Sequence, residues 1–154
     1  MHRSCRFIIL FALLVWTGVA SAATGKVIKV LPHLLDLQGR HMLAPSLYDR
    51  DAYQAELRKH PDKCSGVRFD VQWRVADITA TNNVVLRVEV RGTAKNKPPS
   101  ELRLEQWLTA PRGGHWTNLT LTGESYKELG EVTAWRVTLW VGDELLGEQK
   151  SFLW

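Results

Sequence analysis

Alternation of apolar and polar residues constrains this chain more than any other feature. Val67, Phe69, Val71, Trp73 and Val75 are separated by Arg68, Asp70, Gln72 and Arg74. After a turn-like stretch, Asp77 to Asn83, the pattern restarts. Val84, Leu86, Val88 and Val90 share one parity, and Arg87, Glu89 and Arg91 share the other. A period of two sends successive side chains to opposite faces of a strand, so each segment has one core face and one wet face. Such one-sided segments build antiparallel sheets. The wet-face charges have mixed sign, which suits cross-strand pairing over a solvated outer surface.

The same reading extends along the chain. Gly92 to Ser100, with Pro98-Pro99, reads as a loop, and Glu101 to Thr109 as a strand with Leu102, Leu104 and Leu108 on one face. Pro111-Arg112-Gly113-Gly114 is a turn, Trp116 to Leu121 a short strand, and Gly123 to Gly130 a corner or a single helical turn. In Ala134 to Val141, Trp135, Val137, Leu139 and Val141 oppose Arg136, Thr138 and Trp140. Gly142-Asp143 fits a two-residue hairpin turn, and Glu144 to Trp154 returns as the last strand. Near the front, Lys26 to Leu37 is β-rich but carries Pro32, which suits an edge. Ser46 is placed to cap a helix, with Asp49 completing a capping box. Leu47, Tyr48, Ala52, Ala55 and Leu57 offer that helix an apolar side, and His60-Pro61 ends it. The sum is an all-β, antiparallel β-sandwich of about seven strands with one short helix near the N-terminus.

The C-terminal hairpin, Ala134-Trp135-Arg136-Val137-Thr138-Leu139-Trp140 followed by Gly142-Asp143-Glu144-Leu145-Leu146-Gly147-Glu148 and Ser151-Phe152, resembles the last two strands of immunoglobulin-like and fibronectin-type-III-like bacterial domains. The resemblance implies an immunoglobulin-like sandwich. It departs from antibody-type domains in lacking two sheet-bridging cysteines and a tyrosine corner. Leu34 to Gly66 also resembles small exported bacterial proteins of no known role. Neither likeness implies an activity, because function belongs to sites and not to folds.

The first residues predict export. Arg3 and Arg6 precede the apolar run Phe7 to Trp16, and Ala20-Ser21-Ala22 supplies the small residues of a cleavage site. These are the parts of a secretory signal peptide. The run is also interrupted by Thr17-Gly18, short of the roughly 20 residues of a membrane span. The expected division is residues 1-22 as signal peptide and residues 23-154 as a single domain, periplasmic or secreted, with no membrane span once the signal is removed. Losing Arg3 and Arg6 lowers the net charge from +4 to +2, and no Lys/Arg-rich run marks a nucleic-acid footprint. Cys64 is then the sole cysteine, so an internal disulfide is excluded and a hydrophobic core must stabilise the domain. Cys64 is expected to be buried and inert; pairing between chains is the alternative.

Alternation also occurs in outer-membrane barrels. Here, however, Lys150 shares parity with Phe152 and Trp154, and several strands are shorter than the roughly 9–11 residues a spanning strand needs.

No catalytic signature is present: there is no Gly-x-Ser-x-Gly turn, no His-Glu-x-x-His and no glycine-rich phosphate loop. The expectation is a non-enzyme without cofactor. His60, Asp62 and Cys64 lie within five residues, but their spacing matches no metal site, and a helix end running into a loop accounts for them. Tryptophans are the candidates for binding. Trp73 and Trp135 are in phase with the core. Trp107 and Trp140 fall on the opposite parity, Trp116 follows a Gly-rich turn, and Trp154 ends the chain. Exposed tryptophans anchor protein partners or stack on sugar rings; a β-bulge would return Trp107 or Trp140 to the core. The leading expectation is a module for protein–protein interaction in the cell envelope, using an edge strand or a sheet face. Glycan binding through the same aromatics is the alternative, and a periplasmic enzyme with a loop-built site the second.

Overall fold

The computed structural model describes residues 23–76, 83–109 and 113–154. The predicted signal peptide and most of the turns at Asp77 and Pro111 lie outside the described residues. The alternating segments become seven strands: β1 (Thr24–Asp36), β2 (Cys64–Ala76), β3 (Val84–Thr93), β4 (Ser100–Leu108), β5 (Gly113–Thr122), β6 (Glu131–Val141) and β7 (Glu144–Lys150). Their valine-rich sequences suit a pleated, half-buried surface. All pairings are antiparallel, in a three-stranded sheet of order β1-β2-β5 and a four-stranded sheet of order β4-β3-β6-β7. No described helix is long and apolar enough to cross a membrane.

One core lies between the sheets. Phe69, Val71 and Trp73 of β2 face Leu86, Val88 and Leu139 of the other sheet, all buried. Each such side chain contributes roughly 1.5–3 kcal/mol by leaving water. Trp73 has its polar atom satisfied, since its indole N–H donates to Thr117 Oγ1 at 2.9 Å. Trp135 packs against the same core.

Two helices cover one end. α1 (Leu47–Lys59) begins at Ser46, whose hydroxyl accepts from the Asp49 N–H at 3.4 Å. Only part of the apolar side expected of it is buried, at Leu57. Leu47, Tyr48 and Ala52 are exposed, and Gln54 and Leu57 are the buried residues. Backbone hydrogen bonding, more than apolar area, seats this helix. The Gln54 amide accepts from Leu34 N–H at 2.8 Å and donates to Leu34 C=O at 2.9 Å and to His41 C=O at 2.8 Å. It therefore acts as one strand residue laid against the edge of β1. Pro32, two residues earlier on that edge, offers no donor at all. Further back, the Gln149 amide of β7 donates to Ile28 C=O at 3.0 Å.

Asp36 closes the other end of β1. Its carboxylate accepts from the Gln38 and Arg40 N–H groups, from Arg40 Nε and from the Tyr53 hydroxyl, all within 2.9 Å. Burial opposes its charge, but these donors prevail and bring its pKa down to about 2. The segment Gly123–Leu129 forms a second helix, α2. The last strand stops earlier than expected, at Lys150. Ser151 turns the chain away, its N–H donating to Trp135 C=O at 2.9 Å and its hydroxyl accepting from Trp135 N–H at 3.0 Å. Phe152 is left fully exposed.

Candidate binding face

The outer face of the four-stranded sheet is laid down in rungs by strand register. One rung, at the β3 start, reads Trp107, Val85, Trp140 and Leu145 across β4, β3, β6 and β7. The next reads Glu105, Arg87, Thr138 and Glu148, and the third Arg103, Glu89, Arg136 and Lys150. Beyond them Glu101, Arg91 and Ala134 lie in line.

The first rung is apolar on all four strands. Trp107 is 68% exposed and Leu145 47%, while Trp140 is half-buried and Val85 buried. No bulge returns either tryptophan to the core, since Trp107 and Trp140 both stand opposite Val85 without a local register shift. The irregularity lies in β7, where Leu146 is the extra residue between Leu145 and Gly147. The shift allows Leu146 to pack on the core while Leu145 stays beside Trp140. The Arg87 guanidinium sits 5.1 Å from the centre of the Trp140 ring, a cation–π contact. The Trp140 indole N–H is buried without a hydrogen-bond partner.

The charges of these rungs pair within and between rungs. Arg87 and Glu105 are 2.7 Å apart, and Arg91 and Glu101 are 3.0 Å apart. Glu89, only 3% exposed, is held by Arg136 at 2.7 Å and Arg103 at 3.3 Å. Burial disfavours its charged form, yet the two guanidinium groups outweigh this and hold its pKa below the usual carboxylate range. The mixed charges thus pair across strands, as their parity suggested.

The four candidate tryptophans do not converge. Trp107 and Trp140 share a rung. Trp154 lies on the same face over the far charged rungs, its ring 3.9 Å from the Arg91 guanidinium and 5.2 Å from that of Arg136. Trp116 pairs with Gln72 on the three-stranded sheet and is exposed on the opposite side of the molecule. Sequence reasoning passed over Val85 and Leu145. The signal that marks them is a break in alternation: Val84-Val85 and Leu145-Leu146 are apolar doublets, and one member of each must face outward.

A cleft of about 540 Å³ opens elsewhere, between the helices and the sandwich end, with Leu34, Leu57, Val67, Tyr126, Val132 and Trp135 among its walls. Cys64 lies in it, partly buried, its thiol donating to Leu57 C=O at 3.4 Å. Burial, with Asp62 adding to it, raises the thiol pKa, so Cys64 is a poor nucleophile at neutral pH. His60 pairs with Glu56 at 3.0 Å. Among the described residues no group of three His, Cys, Asp or Glu side chains is placed to hold a metal ion. No protein-family model matches the chain, and no curated protein matches it.

Proposed function

We propose that this chain is an exported, immunoglobulin-like binding module that engages a protein partner in the cell envelope through the outer face of its four-stranded sheet. The observation that carries this reading is the rung Trp107–Val85–Trp140–Leu145. It is an apolar strip across four strands, bordered by the paired charges of Arg87 and Glu105. An apolar, aromatic centre with a polar border is the anatomy of a protein interface, and tryptophan is the residue that most often dominates one. The strand order supports the fold half of the reading. The fourth strand joins the sheet of the third, sixth and seventh, which favours the fibronectin-type-III-like form over the constant-type immunoglobulin arrangement. The leader pattern of residues 1–22 supports export.

The test is capture from an envelope extract on the immobilised protein, repeated with Trp107→Ala and, as control, Trp116→Ala on the opposite sheet. The expected result is a stoichiometric protein whose affinity falls about thirtyfold with Trp107→Ala, the loss of an ordinary hot spot, and is unchanged with Trp116→Ala. Equal capture by both variants overturns the reading. Titration with soluble oligosaccharides, followed by tryptophan fluorescence, is the companion measurement. Saturable quenching that Trp107→Ala abolishes, with no protein captured, turns the assignment to glycan binding.

A further inference from the structure

The two long sides of the sandwich are finished differently. Along β1 the edge is closed by Pro32, by the Gln54 amide on both backbone groups of Leu34, and by Gln149 on Ile28. Among the described residues, no proline and no side-chain hydrogen bond closes β4 in this way. Its nine residues, Ser100–Leu108, include no buried residue and no proline, and they pair with β3 without a register shift. Natural proteins cap, bend or charge such an edge to prevent pairing with another chain. β4 does carry charge, but the charge alternates in sign: Glu101, Arg103 and Glu105 follow one another on the outer face.

That alternation is self-complementary in one register. We propose that two copies of this chain associate through β4, antiparallel, about a two-fold axis passing through Leu104 and perpendicular to the sheet, to form a continuous eight-stranded sheet. Leu104 is the midpoint of the strand. A two-fold there sets Arg103 of each copy opposite Glu105 of the other, Glu101 opposite Trp107, and Leu104 opposite itself. Opposite charges directly across a strand pair stabilise it, and like charges destabilise it. Centring the axis one residue earlier sets Arg103 against Arg103 and Glu101 against Glu105. Centring it one residue later sets Glu105 against Glu105. Of the registers that pair seven or more residues on each copy, only the one using the whole strand is free of like-charge opposition. The charge ladders also join without a break in sign: Arg87 and Glu105 of one copy continue into Arg103, Glu89 and Arg136 of the other. A closed two-fold contact of this kind is the commonest route to a homodimer.

The proposal rests on the edge and not on the tryptophan rung, and its test is separate. A single strand pair buries less than a standard interface, so association is reversible and weak. Sedimentation velocity from about 10 μM to about 1 mM, the range such small contacts require, is expected to show a monomer–dimer equilibrium. Register is read by cross-linking in a Cys64→Ser background under mild oxidant. With Leu104→Cys the two cysteines lie about 5 Å apart between Cα atoms, within disulfide range. With Leu102→Cys or Gln106→Cys each lies about 14 Å from its own counterpart. Leu104→Cys is expected to form covalent dimer at least about tenfold faster than either. Charge is read by Glu105→Arg, expected to weaken the dimer about tenfold. Glu105→Gln, which adds no repulsion, replaces Glu105→Arg if that variant loses the wild-type circular dichroism, with an expected weakening of about threefold. A monomer at every concentration, equal cross-linking at the three positions, or a dimer indifferent to Glu105 overturns the proposal.

Discussion

Replacing Gln54 by Leu measures how much of the β1 edge depends on one amide. The side chain is 7% exposed and makes the bonds to Leu34 N–H, Leu34 C=O and His41 C=O at 2.8, 2.9 and 2.8 Å. A hydrogen bond that forms contributes about 1 kcal/mol net, and a group left buried without one costs about 1–3 kcal/mol. Leucine keeps the bulk and leaves three backbone groups unpaired, though water reaches them in part. The expected loss is about 3 kcal/mol, which at about 2 kcal/mol per molar urea lowers the unfolding midpoint by about 1.5 M. Gln54→Glu keeps the shape and changes only the donor. At pH 7 its carboxylate points at the carbonyls of Leu34 and His41, so it is expected to be worse than leucine. Burial beside two acceptors raises the folded-state pKa of this carboxyl above its unfolded value of about 4.3. Its protonated form is therefore favoured by folding, and the deficit shrinks as pH falls through the raised pKa. Urea titrations by tryptophan fluorescence at pH 5 and 7 give the midpoints, and hydrogen exchange gives the protection of the Leu34 amide. A midpoint within about 0.3 M of wild type, with Leu34 still protected, refutes the view that this amide holds the edge.

Two further changes probe the same framework. The Asp36 pKa is depressed in the folded state to about 2, from an ordinary 3.8. Its contribution is therefore full above about pH 4 and is lost as pH falls toward 2, up to about 2 kcal/mol in all. Asp36→Asn should flatten the acid limb of the stability profile measured by urea titration. Gly92 of β3 has no room for a side chain, because a β-carbon there meets Leu129 Cγ at 2.6 Å and the Leu129 carbonyl at 2.7 Å. Gly92→Ala should cost about 1–3 kcal/mol by displacing α2, seen as a lower thermal midpoint.

Much of the fold was legible because parity is a local property. The Val67–Val75 and Val84–Val90 alternation names inward and outward residues without knowing any neighbour, and the β2 and β3 core follows from it. Strand order is not local, and alternation is silent on it. A trace of it does lie in the charges. Glu89 is buried, so it requires cations on both flanking strands, and Arg103 and Arg136 meet that need from β4 and β6. The apolar side expected for α1 holds at Leu57 but fails at Leu47, Tyr48 and Ala52, for the opposite reason. Leu47 and Tyr48 looked like packing residues, while the residue that seats the helix, Gln54, is polar and acts on backbone atoms that no side-chain pattern displays. The parity of the tryptophans is legible in the sequence; which sheet carries Trp116 is not. Trp116 and Trp107 differ only in which sheet takes their strand, and that is a question of pairing.

Trp107 belongs both to the rung proposed to meet a partner and to the edge proposed to meet a second copy, so the two contacts must be compatible. In the Leu104-centred register Trp107 faces Glu101 of the other copy sideways, along the sheet, and its ring stays on the outer face. The two Trp107 residues are then displaced by six strand residues, about 20 Å, on the same side of one sheet. A dimer therefore displays two apolar strips in parallel offset. For a partner that is itself repeated or dimeric, occupying both turns the second contact into an intramolecular one and raises avidity about 10²- to 10⁴-fold without any new interaction. For a single-site partner pairing changes nothing. Weakening the edge with Arg103→Gln, which lies outside the strip and its Arg87–Glu105 border, thus separates the cases: affinity for a repeated partner falls while the rung is intact, whereas Trp107→Ala weakens binding of either kind about thirtyfold.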